Sequence, residues 1–258
     1  MNRIVWIFDF DGTLSPIVAD RHAAHLHPAC RELLMDLHQD QGQEVAVLSS
    51  RRLEDLSARI DIPGVYIGGY NGLRWISPEG RVLDRGYYFQ GDLQEKRNAM
   101  LPGIMALKEL PGMDIEDKHW AVTLHLRQMS PDGKEEALKH IRTWGNQDDI
   151  SVLPGPEAWE VTFSPSFNKS VGVQILCREL DFKPRRDLLI YAGDDANDAL
   201  AMAYVASLGG IIITVGPQPL YPCCRLVNDP KTLAVLCRKM ARALSSGERP
   251  TNLLKEEE

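Results

Sequence analysis

Arg3-Ile4-Val5-Trp6-Ile7-Phe8-Asp9-Phe10-Asp11-Gly12-Thr13 is an apolar strand that runs into two carboxylates one residue apart, followed by Gly-Thr. Side chains at i and i+2 of an extended chain point the same way, so Asp9 and Asp11 are expected to share one small space at the strand's C-terminal end. Two adjacent anions raise one pKa and cost stability, unless a metal ion or a division into nucleophile and acid makes use of them. A plain Asp-Gly turn needs only Asp11 and Gly12 and leaves Asp9 without a reason.

Outward from that stretch, strands and helices alternate. A helical pattern runs from about Pro28 to Gln41, with Leu33, Leu34, Leu37 and His38 on one face. Val45–Leu48 reads as a buried strand ending in Ser49-Ser50-Arg51, and Leu53 to Ile60 reads helical. Val65–Ile67 is a further strand before Gly68-Gly69-Tyr70-Asn71-Gly72. This rhythm predicts an α/β fold with a doubly wound, mostly parallel, Rossmann-like sheet whose ligand site lies at the C-terminal strand ends. Asp9 and Ser49 both fall at such ends.

The middle of the chain changes rhythm. A helix from about Leu93 to Leu107 precedes strands at Asp114–Glu116 and Trp120–Arg127. A second, from about Gly133 to Trp144, precedes strands near Ser151–Leu153 and Trp159–Thr162. A helix–strand–strand unit used twice predicts a small α+β domain with one antiparallel sheet. Ser77-Pro78-Glu79-Gly80 and Ser164-Pro165-Ser166 flank it, and segments near Gln90 and Ser164 are its expected hinges. The expected division is a core from residues 1–89 and 165–246, an insertion at 90–164, and a disordered tail at 247–258.

The last third returns to the first rhythm. A helix opens at Asn168-Lys169, and the strand Leu188–Ala192 leads into Gly193-Asp194-Asp195-Ala196-Asn197-Asp198. The strand Ile211–Val215 and a helix from about Lys231 to Leu244 follow.

Composition sets broad limits. With 258 residues, 44% hydrophobic and 25% charged, the chain reads as an ordinary soluble protein. A net charge of -7 argues against bulk nucleic-acid or anionic-membrane binding. No apolar stretch approaches the ~20 residues needed to span a bilayer, and residues 1–20 lack a signal-peptide layout. Five cysteines, Cys30, Cys177, Cys223, Cys224 and Cys237, make neither a disulfide framework nor a zinc pattern, so reduced thiols in the cytoplasm are expected. His22, His25, His27 and His38 lack partners at ligand spacing and are read as surface or helix-entry residues.

Four groups converge on one sheet edge: Asp9 with Asp11, Ser49, Lys169, and Asp194-Asp195 with Asn197-Asp198. Each has a plainer explanation. Ser49 fits a helix cap. Lys169 fits a solvated surface, although a cation in a first helical turn opposes the macrodipole unless an anion binds there. Capping after Asp194 needs one carboxylate, and the run supplies three.

The four motifs, in this order and with an insertion between the second and third, resemble the phosphatases of the haloacid dehalogenase superfamily across essentially the whole chain. The insertion is similar to the larger, type-two cap of the sugar-phosphate branch. Within it the chain most resembles the trehalose-6-phosphate phosphatase family. Leu14-Ser15-Pro16-Ile17-Val18, Glu116-Asp117-Lys118 leading to His125-Leu126-Arg127, Trp159-Glu160-Val161 and the double Asp of the fourth motif carry that likeness. It departs at Asn197 and Ala199, where that family usually has Thr and Glu, at Ser170 in place of Gly, and at Arg74 in place of Glu.

The resemblance implies a magnesium-dependent phosphatase acting on a small sugar phosphate, with trehalose 6-phosphate first among the substrates. Asp9 would be the nucleophile and Asp11 the acid and base, with Ser49 and Lys169 holding phosphate oxygens. Magnesium would sit between Asp9, the Asp11 carbonyl and Asp194, while Asp195 and Asp198 would ligate from further out or orient Lys169. Ser50, Arg51 and Asn71 at the core, and Lys118, His125, Arg127 and Glu160 in the cap, are the candidate substrate contacts. Other glycosyl phosphates (glucosylglycerol-phosphate, glucosyl- or mannosyl-phosphoglycerate, sucrose-6-phosphate), a sugar phosphomutase and a sugar-phosphate sensor stand as alternatives. Nothing in the residues fixes an oligomeric state.

Overall fold

The computed structural model describes residues 3–18, 20–84, 90–155, 157–164 and 167–247. The chain divides into two compact units, Met1–Leu83 with Lys169–Glu258, and Asp84–Asn168. Of the tail expected to be disordered, residues 248–258 fall outside the described residues, and so does the side chain of the candidate hinge Gln90.

In the first unit β1 (Ile4–Phe8) is buried along its whole length, as an Ile-Val-Trp-Ile-Phe run must be when both faces of a sheet are covered. It pairs in parallel with β2 (Gln43–Leu48) on one side and with β10 (Leu188–Gly193) on the other. β3 (Tyr66–Gly69) continues parallel beside β2, and β11 (Ile211–Val215) and β12 (Arg225–Val227) continue parallel beside β10. Two short strands, β4 (Arg74–Ile76) and β5 (Val82–Asp84), complete the order β12-β11-β10-β1-β2-β3-β4-β5, β4 running antiparallel to β3. From β1 the chain winds outward one way, and from β10 the other. The two directions part between these strands, and the crevice at their C-terminal ends is where such sheets bind ligands.

The helices enter on recognisable signals. α1 (Pro28–Gln39) has Pro28 at its first position and His27 as cap, its ring accepting from the Ala29 N–H at 3.2 Å. It buries Cys30, Leu33, Leu34 and Leu37, whereas His38, expected on that face, is exposed and lies over Gly64. α7 (Pro230–Ser245) starts from a capping box between Asp229 and Thr232, buries Leu233, Cys237 and Met240, and packs on α1, whose Cys30 thiol donates to the Pro230 carbonyl at 3.1 Å. α5 (Lys169–Glu179) packs on α6 (Ala199–Ser207). α2 (Leu53–Ser57) is shorter than the pattern suggested. Ser77-Pro78-Glu79-Gly80, read as a flank of the insertion, is the turn joining β4 to β5, closed by the Gly80 N–H on the Ser77 carbonyl at 2.8 Å.

The second unit contains α3 (Gln90–Ala106), β6 (Asp114–Asp117), β7 (Ala121–His125), α4 (Pro131–Gly145), β8 (Ser151–Gly155) and β9 (Ala158–Thr162). Its strands form one antiparallel sheet in the order β6-β7-β9-β8. Ile115, Val122, Leu124 and Val161 are buried with Ile104, Ala137 and Ile141 of its helices. The opposite parity of the strands brings Glu116, Thr123 and Glu160 into one cross-strand row.

Candidate active site

β1 delivers Asp9 to the crevice, its N–H held by the Ala192 carbonyl of β10 at 2.9 Å. The chain then turns at once. The Gly12 N–H meets the Ser15 carbonyl at 2.8 Å, and Gly12 sits at φ +82°. A Cβ there would lie 1.9 Å from Asp194 Oδ2, so glycine serves both the left-handed turn and the close approach of Asp194. The Thr13 hydroxyl donates to the other Asp194 oxygen at 3.2 Å.

Lys169, in the first turn of α5, is 2% exposed and donates to Asp9 Oδ1 and Asp198 Oδ1, both at 2.7 Å. The Tyr191 hydroxyl of β10 donates to the same Asp198 oxygen at 2.6 Å. Asp198 Oδ2 accepts the Asp194 and Asp195 N–H groups at 3.0 and 3.3 Å. Asp195 caps the turn Ala196–Asp198, accepting from the Asn197 N–H at 2.9 Å. Asp198 is thus fully occupied in holding Lys169 and the loop. Tyr191 is the residue that sequence reasoning missed: a lone hydroxyl inside an apolar strand reads as packing.

Oxygens of Asp9, Asp194 and Asp198 lie within 4.8 Å of one another. Ionised together, three carboxylates against one ammonium would leave two negative charges out of water. Burial therefore pushes the Asp9 carboxyl well up, Lys169 opposing and Asp198 and Asp194 adding to it. Burial, with Asp198 and Asp195, pushes Asp194 up to about 7. Burial works against the Lys169 charge, but Asp198 and Asp9 more than offset it and hold its pKa above the ordinary lysine value. A hard divalent cation on the Asp9 and Asp194 oxygens would remove this frustration. One or two carboxylates with remaining positions for water and phosphate is what magnesium accepts, so the residues fit that ion. Among the described residues this is the one such cluster; the early histidines form none.

The two aspartates of the opening motif are partnered separately. Asp9 faces Lys169, whereas both oxygens of Asp11 accept from Arg51, at 2.6 and 2.7 Å. Burial opposes the Arg51 charge, yet Asp11 and Asp55 hold its pKa above the ordinary arginine value. Ser49 is 1% exposed at the end of β2; it does not cap α2, and its hydroxyl accepts from the Arg51 N–H at 3.2 Å. Ser50 follows it, half-buried. Asn71 is buried at φ 55°, its N–H on the Ser49 carbonyl at 2.9 Å, a left-handed conformation that asparagine tolerates best among the larger residues.

In the second unit Lys118 is buried and donates to Glu160 at 2.8 Å, with Glu116 at 3.9 Å. His125 Nε2 lies 3.9 Å from Glu116. Arg127, expected in the same strand, lies beyond it in an exposed turn.

The trehalose-phosphatase family model matches residues 7–219. A trehalose-phosphate phosphatase of Mycobacterium tuberculosis is 31% identical over 212 residues, 80% of this chain and 52% of that protein. The chain therefore spans about half the length of the relatives it matches. The C-terminal domain of a trehalose-6-phosphate phosphatase from C. albicans superposes with a TM-score of 0.76 at 21% identity, covering 96% of this chain and 93% of that one. A haloacid dehalogenase-like hydrolase from Bacteroides thetaiotaomicron gives 0.65 at 14% identity, covering 92% and 99%. These structures share the fold.

Proposed function

The chain belongs to the trehalose-phosphatase family, and on that premise we propose that it hydrolyses a sugar phosphate, trehalose 6-phosphate first among them, with magnesium bound. The observation that carries this reading is the buried Asp9 at the end of the central strand, bracketed by Lys169 and Asp194.

A carboxylate oxygen of Asp9 attacks phosphorus while the bond from phosphorus to the sugar oxygen breaks. The departing oxygen takes the proton of Asp11. Water then attacks the aspartyl-phosphate, gives its proton to Asp11, and releases phosphate and Asp9. Lys169 keeps Asp9 Oδ1 fixed and offsets negative charge as the phosphoryl group arrives, and Ser49 offers a hydroxyl to its oxygens. Magnesium, held by Asp9 and Asp194 with the Asp11 carbonyl, would neutralise the phosphate and align it for attack.

The second unit is proposed to act as the cap that selects the sugar. Its polar cluster, in which Lys118 and His125 gather around Glu116 and Glu160, supports this, since hydroxyl-rich ligands are held by such mixed charges. The same reading sets the reaction in a reducing, cytosolic compartment, in keeping with five free cysteines. Among the described residues no helix is long and apolar enough to cross a membrane.

A panel of phosphate esters scored by phosphate release with magnesium tests the proposal. Trehalose 6-phosphate should exceed glucosylglycerol-phosphate, the phosphoglycerates, sucrose-6-phosphate and an aryl phosphate. An aryl phosphate turned over as well as every sugar would sink the trehalose assignment. Asp9→Asn should abolish turnover while leaving the thermal unfolding cooperative; an active Asp9→Asn enzyme removes the nucleophile.

A further inference from the structure

Arg51 was expected to contact substrate, yet its guanidinium is committed to the protein. Nε and Nη2 donate to the two oxygens of Asp11 at 2.6 and 2.7 Å, and Nη2 also donates to the Arg21 carbonyl at 2.9 Å. Nη1 donates to Asp55 at 2.6 Å. The group lies over the Phe10 ring, 5.5 Å from its centroid, and its side chain is 10% exposed. Asp55 is gripped from its other side by Arg59 at 2.8 Å, and Arg59 donates in turn to the Ala24 carbonyl. A chain of charges therefore ties Asp11 to α2 and to the loop that follows the motif.

We propose that Arg51 is a positioning residue for Asp11, orienting the carboxyl that exchanges a proton with the leaving oxygen and the attacking water: the fork grips both oxygens of the ionised form, and one oxygen leaves the fork when it carries the proton while the other stays held. The proposal rests on the phosphatase reading. Asp11 has a 44% exposed side chain on a loop, where a lone carboxylate would visit several rotamers. A planar fork gripping both oxygens fixes the plane of the carboxyl as well as its place, which a lysine's point charge does not. Proton transfer has strict requirements for that geometry.

The leaving group separates this role from phosphate binding. An alkyl oxygen departs poorly without a proton, whereas 4-nitrophenolate departs without one. Loss of Asp11 orientation should therefore penalise a sugar phosphate in kcat/KM and largely spare 4-nitrophenyl phosphate. Loss of a phosphate-binding cation, or general damage to the fold, penalises both alike.

The experiment measures kcat/KM for trehalose 6-phosphate and 4-nitrophenyl phosphate with magnesium, using the full chain as wild type, Arg51→Gln, Arg51→Lys, Asp11→Asn and the Asp11→Asn/Arg51→Gln double variant. Arg51→Gln should lose ~100-fold or more on the sugar ester, the scale of general acid catalysis, and less than ~10-fold on the aryl ester. Arg51→Lys keeps the charge and stem, so it folds if Arg51→Gln does not, and it should shift the ratio in the same direction by ~10-fold. On the Asp11→Asn background the Arg51 change should cost under ~3-fold. Equal losses on the two esters, or a full additional loss on the Asp11→Asn background, overturn the proposal. A wild-type chain that hydrolyses neither ester refutes the phosphatase reading itself and the inference with it.

Discussion

Replacing Asp194 by asparagine should make the metal-free protein more stable while abolishing its activity. Asp194 is held up to about 7 from 3.8 by burial and by the neighbouring Asp198 and Asp195. At ~1.4 kcal/mol per pH unit, the folded state then carries a cost of about 4 kcal/mol when this carboxyl is ionised. Because the folded pKa lies above the unfolded one, the folded protein holds an extra proton between about pH 4 and pH 7. This group's contribution therefore makes metal-free stability fall as pH rises through that window. Asparagine keeps an acceptor for the Thr13 hydroxyl and has no charge to bury. Allowing ~1 kcal/mol for imperfect hydrogen bonding leaves a gain of roughly 3 kcal/mol above pH 7, or ~6–12 °C for a chain of this size. Differential scanning calorimetry in a chelator at pH 4.5 and pH 8 measures it: the two proteins should nearly coincide at the lower pH and separate at the higher. Magnesium should then raise the wild type at pH 8 and leave the variant almost unmoved. An Asp194→Asn protein melting at or below wild type at pH 8 in chelator would refute the electrostatic reading of the site.

Two further outcomes are expected. Tyr191→Phe removes a hydroxyl 2.6 Å from a buried carboxylate and leaves Asp198 with Lys169 and two amides, so urea denaturation should show a loss of ~1.5–3 kcal/mol. Gly12→Ala forces a side chain into a left-handed turn at ~1–2 kcal/mol and against Asp194, so the magnesium concentration for half-maximal stabilisation should rise ~10-fold.

What the residues disclosed unaided follows from how local each signal is. β1 is legible because an uninterrupted apolar run has one use in an α/β chain, and Asp9 and Asp194 follow because each ends such a run. Lys169 was legible as a cation in the wrong turn of a helix. β4, β5 and β12 were not, since three residues carry no measurable periodicity. Spacing also placed Asp9 and Asp11 in one space, but a side chain's partner depends on what arrives from elsewhere. Arg51, 40 residues away, claimed Asp11. Tyr191 has the same character, its role created by a carboxylate seven residues on.

The central place of β1 also has a consequence for how the chain is made. β1 leaves the ribosome ahead of both its neighbours, finds β2 within about one supersecondary unit, and then waits for β10, which pairs with its other edge only after the whole second unit has been synthesised. Through that interval a wholly apolar strand presents an open edge, the template on which strands of other chains assemble. The second unit can fold during the wait, because its strands pair only among themselves. A nascent chain stalled between β9 and β10 should thus be the species that chaperones bind and that aggregates when they are scarce.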